Sequence, residues 1–181
     1  MARAKTNHHL YVGRAGHLAC MSECLSRGWN VAIPEVDVGE DIFVVEDETS
    51  KMSKVQVKTA TGKKMNGGFK AQFIVPLKQV TDDSPKGGQL RFIFVTRYEG
   101  VWQHYLILTR SELEQQYLNH HMGTTTKKGD VKLTLYYRVN PDKSVKIIGG
   151  TQKGFSPKPD LIAFKDKWES LGFLTRIKEG N

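Results

Sequence analysis

The run Leu90-Arg-Phe-Ile-Phe-Val-Thr96 constrains the fold more than any other segment. Its apolar residues do not alternate with polar ones, so the strand it predicts is covered on both faces. A sheet built around such a strand needs a layer on each side. Residues 13–27 predict a helix, with Leu18, Met21, Cys24 and Leu25 at helical spacing and Gly28 as its stop. Residues 29–34, 41–46 and 53–59 predict three strands, the last two joined as a hairpin by a polar turn at 47–50. Residues 61–68 and 81–89 predict polar loops, with strands at 69–77 and 101–108. Thr109, with Glu112 three residues on, predicts a capped helix over 110–118. A late strand follows at 131–139, with a turn at Asn140-Pro-Asp142. A last helix over 160–171 carries Leu161, Phe164, Trp168 and Leu171 on one face. This order of elements reads as an α/β or α+β domain.

At 181 residues and 39% hydrophobic positions, the chain suits one domain with a real core. No apolar run approaches the ~18 residues needed to cross a bilayer. No apolar stretch follows the polar start, so a secretory signal is not expected. Cys20 and Cys24 share one helix face and read as small buried hydrophobes. A reducing cytoplasm is the expected location.

The net charge of +8 favours an anionic partner, with nucleic acid first. The charge is unevenly ordered. Residues 29–50 hold seven acids and no Lys or Arg, and residues 51–81 hold seven lysines and no acid. An acidic stretch can gather a divalent cation, and a basic one can hold phosphates. Two solvated loops that pair with each other would give the same pattern.

Chemistry converges at the junction of these two blocks. Gln56 and Lys58 lie two apart in a strand, so both leave one face, and Asp41 opens the partner strand of the hairpin. A carboxylate, an amide oxygen and an ammonium can therefore meet at one point. Carboxylate and amide oxygens suit a hard divalent cation, and an ammonium stabilises charge growing on a phosphate. Asp37 is expected to cap the turn before Gly39, and Glu40 to point away from Asp41.

Four motifs occur in order: Gly13 and Gly16 on the first helix, Gly28-Trp-Asn-Val31, Pro34-Glu-Val-Asp-Val-Gly-Glu-Asp41, and Gln56-Val-Lys-Thr59. The set resembles the PD-(D/E)XK nuclease superfamily, in its branch with QxK in place of (D/E)xK. That branch includes some intron-encoded homing endonucleases and several uncharacterised prokaryotic families. The resemblance covers residues 13–118 and implies a restriction-endonuclease-like core, a mixed central sheet flanked by helices. Residues 1–12 would then be an N-terminal tail, and 119–181 a C-terminal extension with extra strands and a helix packed on the same domain.

The resemblance also implies a DNA endonuclease using Mg2+ or Mn2+ and working as a homodimer. It makes Asp41 the central metal carboxylate, Gln56 a ligand to the metal or to the groups around it, and Lys58 the catalytic lysine. In one respect the chain departs from the family, since the usual helix-borne glutamate falls on His17. His17 is a candidate substitute ligand, Glu23 is another, and a missing helix contribution is the third option. Lys54, Lys63, Lys64 and Lys70 are candidate phosphate contacts beside the site, and Lys127 and Lys128 form a second basic stretch. Two other classes remain open: a nuclease-fold module that binds DNA without cutting, and a defence or immunity subunit that binds protein.

Overall fold

The computed structural model describes residues 8–36, 39–81 and 90–173. It is a mixed α+β structure of two five-stranded sheets and three helices. The first helix, α1 (His8–Ser26), starts five residues before the expected boundary, so residues 8–12 of the expected tail are helical. Strands β1 (Asn30–Ala32), β2 (Ile42–Glu46) and β3 (Lys51–Thr61) follow as an antiparallel run. The chain then leaves this sheet for the hairpin β4 (Lys63–Met65) and β5 (Gly68–Val75), and a short helix, α2 (Leu77–Thr81). It returns as β6 (Leu90–Tyr98), parallel to β3, and β7 (Val101–Thr109), antiparallel to β6. The first sheet is thus ordered β1-β2-β3-β6-β7.

Helix α3 (Arg110–Leu118) leads through β8 (Thr124–Thr125) to β9 (Val131–Val139) and β10 (Val145–Gly149). The second sheet runs β10-β9-β5-β4, with β8 also on β9. Strand β9 pairs with β5 along its length, so residues on both sides of the boundary expected at 118 share one sheet. The expected loop over 61–68 is largely strand, because Lys63 pairs with Lys70 across a tight turn.

Strand β6 bears out the opening expectation: Phe92, Ile93, Phe94 and Val95 are all buried. Phe92 and Phe94 enter the core between the two sheets, with Leu106, Leu108 and Leu133. Ile93 and Val95 enter a second core under α1, with Cys20, Cys24, Val55 and Val57. A ring stack of Tyr98, Phe69 and Tyr137 ties the sheets together, with centroids 4.3 and 4.4 Å apart. The Tyr137 hydroxyl meets the Thr96 hydroxyl at 3.1 Å. Burial pushes that phenol up to about 12, against the lowering effect of this hydrogen bond. The capping box on α3 is present: Thr109 Oγ1 accepts from the Glu112 N–H at 3.1 Å, and Glu112 Oε2 accepts from the Thr109 N–H at 2.8 Å.

The helix expected over 160–171 is replaced by two 3-10 turns, Ile162–Phe164 and Trp168–Leu171, broken at Asp166 with φ 51°. The reason is packing. Leu161 belongs to the core between the sheets, whereas Trp168 and Leu171 belong to the core under α1. The first sheet lies between these cores, so the segment must pass around its β7 edge rather than lie on one face as a helix. Asp166 fastens it there. Its N–H donates to Tyr105 O at 2.6 Å, its Oδ1 accepts from Tyr105 N–H at 2.9 Å, and its Oδ2 meets His104 Nδ1 at 3.0 Å.

Among the described residues, no helix is long and apolar enough to cross a membrane.

Burial pushes the Asp166 carboxyl up, but the hydrogen bonds from His104 and Tyr105 and the nearby cations outweigh it and hold it below the usual range. A carboxyl depressed in the folded state contributes stability above its unfolded value, lost as pH falls through its folded value. We expect acid to release this segment below about pH 4, read as a change in fluorescence of the buried Trp168. Asp166→Asn should remove that transition and lower stability at neutral pH. An unchanged acid profile in this variant would show that other carboxyls carry it.

Candidate active site

Asp41 sits one residue before β2, and its N–H donates to Val55 O at 2.9 Å, which keeps it in register beside β3. β2 does not extend past this point to pair with Val57. Asp41 Oδ2 accepts the Val57 N–H at 2.7 Å and so ends the ladder with a side chain. The same oxygen accepts the amide N–H of Gln56, and His17 Nε2 lies 3.5 Å from it. Gln56 is 6% exposed, so its amide needs partners. Its Oε1 accepts from Gln79 Nε2 at 3.2 Å. Lys58 follows two residues on, half-buried, opposite Phe94 of β6. The ordered pattern thus brings Asp41, Gln56 and His17 together, with Lys58 on the strand face that Gln56 shares.

His17 reaches Asp41 because α1 lies unusually close to β3. Val12, Gly16, Cys20 and Cys24 recur every fourth residue as the buried face of the helix. A Cβ on Gly16 would stand 2.1 Å from Thr59 Oγ1, inside any tolerable contact. Only glycine lets the helix turn carrying His17 settle there. Burial pushes both cysteine thiols up, Cys24 to about 12 with partial relief from Arg27, so they are protonated packing groups.

The other expected residues lie elsewhere. Glu23 pairs with Arg27 at 2.6 Å and lines a cavity of about 390 Å³ with Trp102, His104 and Trp168, away from Asp41. Lys54 is ion-paired with Glu40 at 2.9 Å. Lys63, Lys64 and Lys70 belong to the β4–β5 hairpin, and Lys127 and Lys128 are exposed in the turn before β9. Asp37 lies outside the described residues.

Sequence reasoning missed Gln79. Pro76 followed by Leu77 and Val80, both facing the core between the sheets, was the available sign of a helical turn that would aim an intervening side chain elsewhere.

The donor chemistry suits a hard cation. Glu40 Oε2 and Gln79 Oε1 are buried oxygens without a hydrogen-bond partner, one in the residue next to Asp41 and the other in the side chain touching Gln56. Carboxylate and amide oxygens match Mg2+ or Mn2+. Among the described residues no three of His, Cys, Asp and Glu gather, so amides would have to complete the set.

No family model and no curated protein matches the chain. Among solved structures it is similar to a bacterial homing endonuclease, I-Ssp6803I, at 15% identity and a TM-score of 0.46, covering 87% of this chain and 86% of that one.

The Gly16 contact yields a direct test. Gly16→Ala should cost about 1–3 kcal/mol in a denaturant melt, and Gly16→Ala/Thr59→Ala should recover part of it. Gly13→Ala, where a Cβ meets open space, should not destabilise.

Proposed function

We propose that this chain is a divalent-metal-dependent endonuclease that hydrolyses DNA phosphodiester bonds. The observation that carries this reading is the cluster on Asp41 Oδ2: a buried amide, a backbone N–H and an imidazole around one carboxylate, with Lys58 two residues from Gln56. A carboxylate serving only to cap a strand would have no use for the imidazole and the glutamine chain behind it.

In this reading Asp41 and His17 would hold the cation, with the amide oxygen of Gln56. A divalent cation there would polarise the scissile phosphate and lower the pKa of a bound water. Lys58 stabilises the charge that grows on the phosphate oxygens. Gln79 holds the Gln56 amide in place and is a positioning residue. His17 replaces a carboxylate by a neutral ligand, which removes one negative charge and shifts preference from magnesium toward manganese.

Plasmid nicking is therefore expected to be faster with Mn2+ than with Mg2+ and abolished by chelation. Lys58→Ala should slow it by about 10²–10³-fold, and Asp41→Ala should remove it. His17→Glu should narrow the gap between the two metals. Equal cutting by wild type and Lys58→Ala would end the assignment.

A second reading, DNA binding without hydrolysis, is favoured by the lack of any cluster of three His, Cys, Asp or Glu among the described residues. It predicts salt-dependent binding and no turnover with either metal.

A further inference from the structure

The second sheet presents an outward face that the active-site reading does not use. Its odd-numbered residues on β5 and β9, among them Phe69, Phe73, Leu133 and Tyr137, are buried against the first sheet. Their even-numbered neighbours therefore point outward. Those positions include Lys70 on β5, Lys132 and Arg138 on β9, and Lys146 on β10. Lys63 is paired with Lys70, and Lys146 with Arg138, so the cations run across strands as well as along them. Lys158 adds a sixth charge, with its ammonium 5.1 Å above the ring of Tyr136 at the centre of the face. Strands β4, β5, β9 and β10 contain no Asp or Glu. Among the described residues the acid that pairs with this set is Asp160, half-exposed and 3.4 Å from Lys146, a geometry that neutralises little in water.

We propose that this face takes the phosphate backbone of a nucleic acid duplex. The proposal rests on the phosphodiester reading for its ligand class and on the sheet for its geometry. Strand spacing of ~4.8 Å and ~6.8 Å between alternate residues spread the cations over a strip of roughly 15 by 20 Å. A duplex carries one charge per ~1.7 Å of axis, so about twelve phosphates lie along such a length. The face offers charge and no stacking platform: the one aromatic ring on it is capped by Lys158, and Gln72 and Thr134 hydrogen-bond to each other at 3.4 Å. Single strands are held by aromatic stacking, so this arrangement favours a duplex.

The test is anisotropy of a labelled 24-base-pair duplex with the full chain, without metal, from 50 to 200 mM salt. Six contacts predict a slope of log K against log salt near −5. Lys63→Gln/Lys70→Gln/Lys132→Gln should roughly halve that slope and weaken binding at least tenfold at 100 mM salt. The matching triple lysine-to-arginine variant keeps the charge and should retain the wild-type slope. Lys51→Gln, at an exposed lysine of the first sheet, should bind as wild type.

Wild-type affinity and slope in the triple glutamine variant would overturn the proposal. So would equal binding of single strands or of phosphatidylserine vesicles, or no duplex binding by wild type. The two readings separate cleanly. A chain that binds through this face and never cleaves supports the proposal and ends the nuclease assignment. A chain that cleaves while the triple variant binds unchanged does the reverse.

Discussion

The parallel pairing of β3 with β6 governs much else in the molecule. Antiparallel neighbours can be joined by a two-residue turn, but parallel ones require the chain to travel back to its starting end. In a doubly wound protein a helix makes that return. Here the crossover is the β4–β5 hairpin followed by α2, and the hairpin becomes the seed on which β9 and β10 later build the second sheet. The same journey passes Gln79 beside the candidate-site segment of β3, where it meets Gln56. One topological requirement thus supplies the layer that covers Phe92 and Phe94 and a side chain of the candidate site.

Local patterns were legible where one segment's own residues decide its structure. The β2–β3 hairpin follows from alternation around a polar turn, and α3 from the Thr109–Glu112 capping box. The double burial of β6 follows from its unbroken apolar run. What could not be read depended on partners outside the segment itself. Lys63 to Met65 look like loop until β5 supplies a ladder, and the helical spacing of Leu161, Phe164 and Trp168 holds no sign that these residues serve two separate cores. The site shows the same division. Asp41, Gln56 and Lys58 are readable because hairpin register joins them, whereas Gln79 arrives through the crossover and leaves only the faint mark of Pro76.

A single oxygen organises the site. Asp41 Oδ2 completes the backbone ladder of β3, anchors Gln56 and faces His17, so backbone order and side-chain order are coupled at one atom. A carboxylate oxygen that meets several donors at once is fixed in position. Gly16 adds the second coordinate, because the depth at which α1 sits on Thr59 sets how far His17 reaches. Neither feature involves charge balance along the sequence. The acidic and basic blocks instead meet as the Glu40–Lys54 pair, a strut beside the site.

The segment that rounds β7 has a consequence for how the molecule can meet others. Open sheet edges invite a further strand from another chain. Residues 165 and 166 occupy the free side of β7 at Tyr105 and Leu106, using the backbone groups that an incoming strand would need. At the opposite edge β1 is only three residues long. Along the described residues the first sheet therefore offers an incoming strand only a short edge at β1 and, at the middle of β7, an edge already taken.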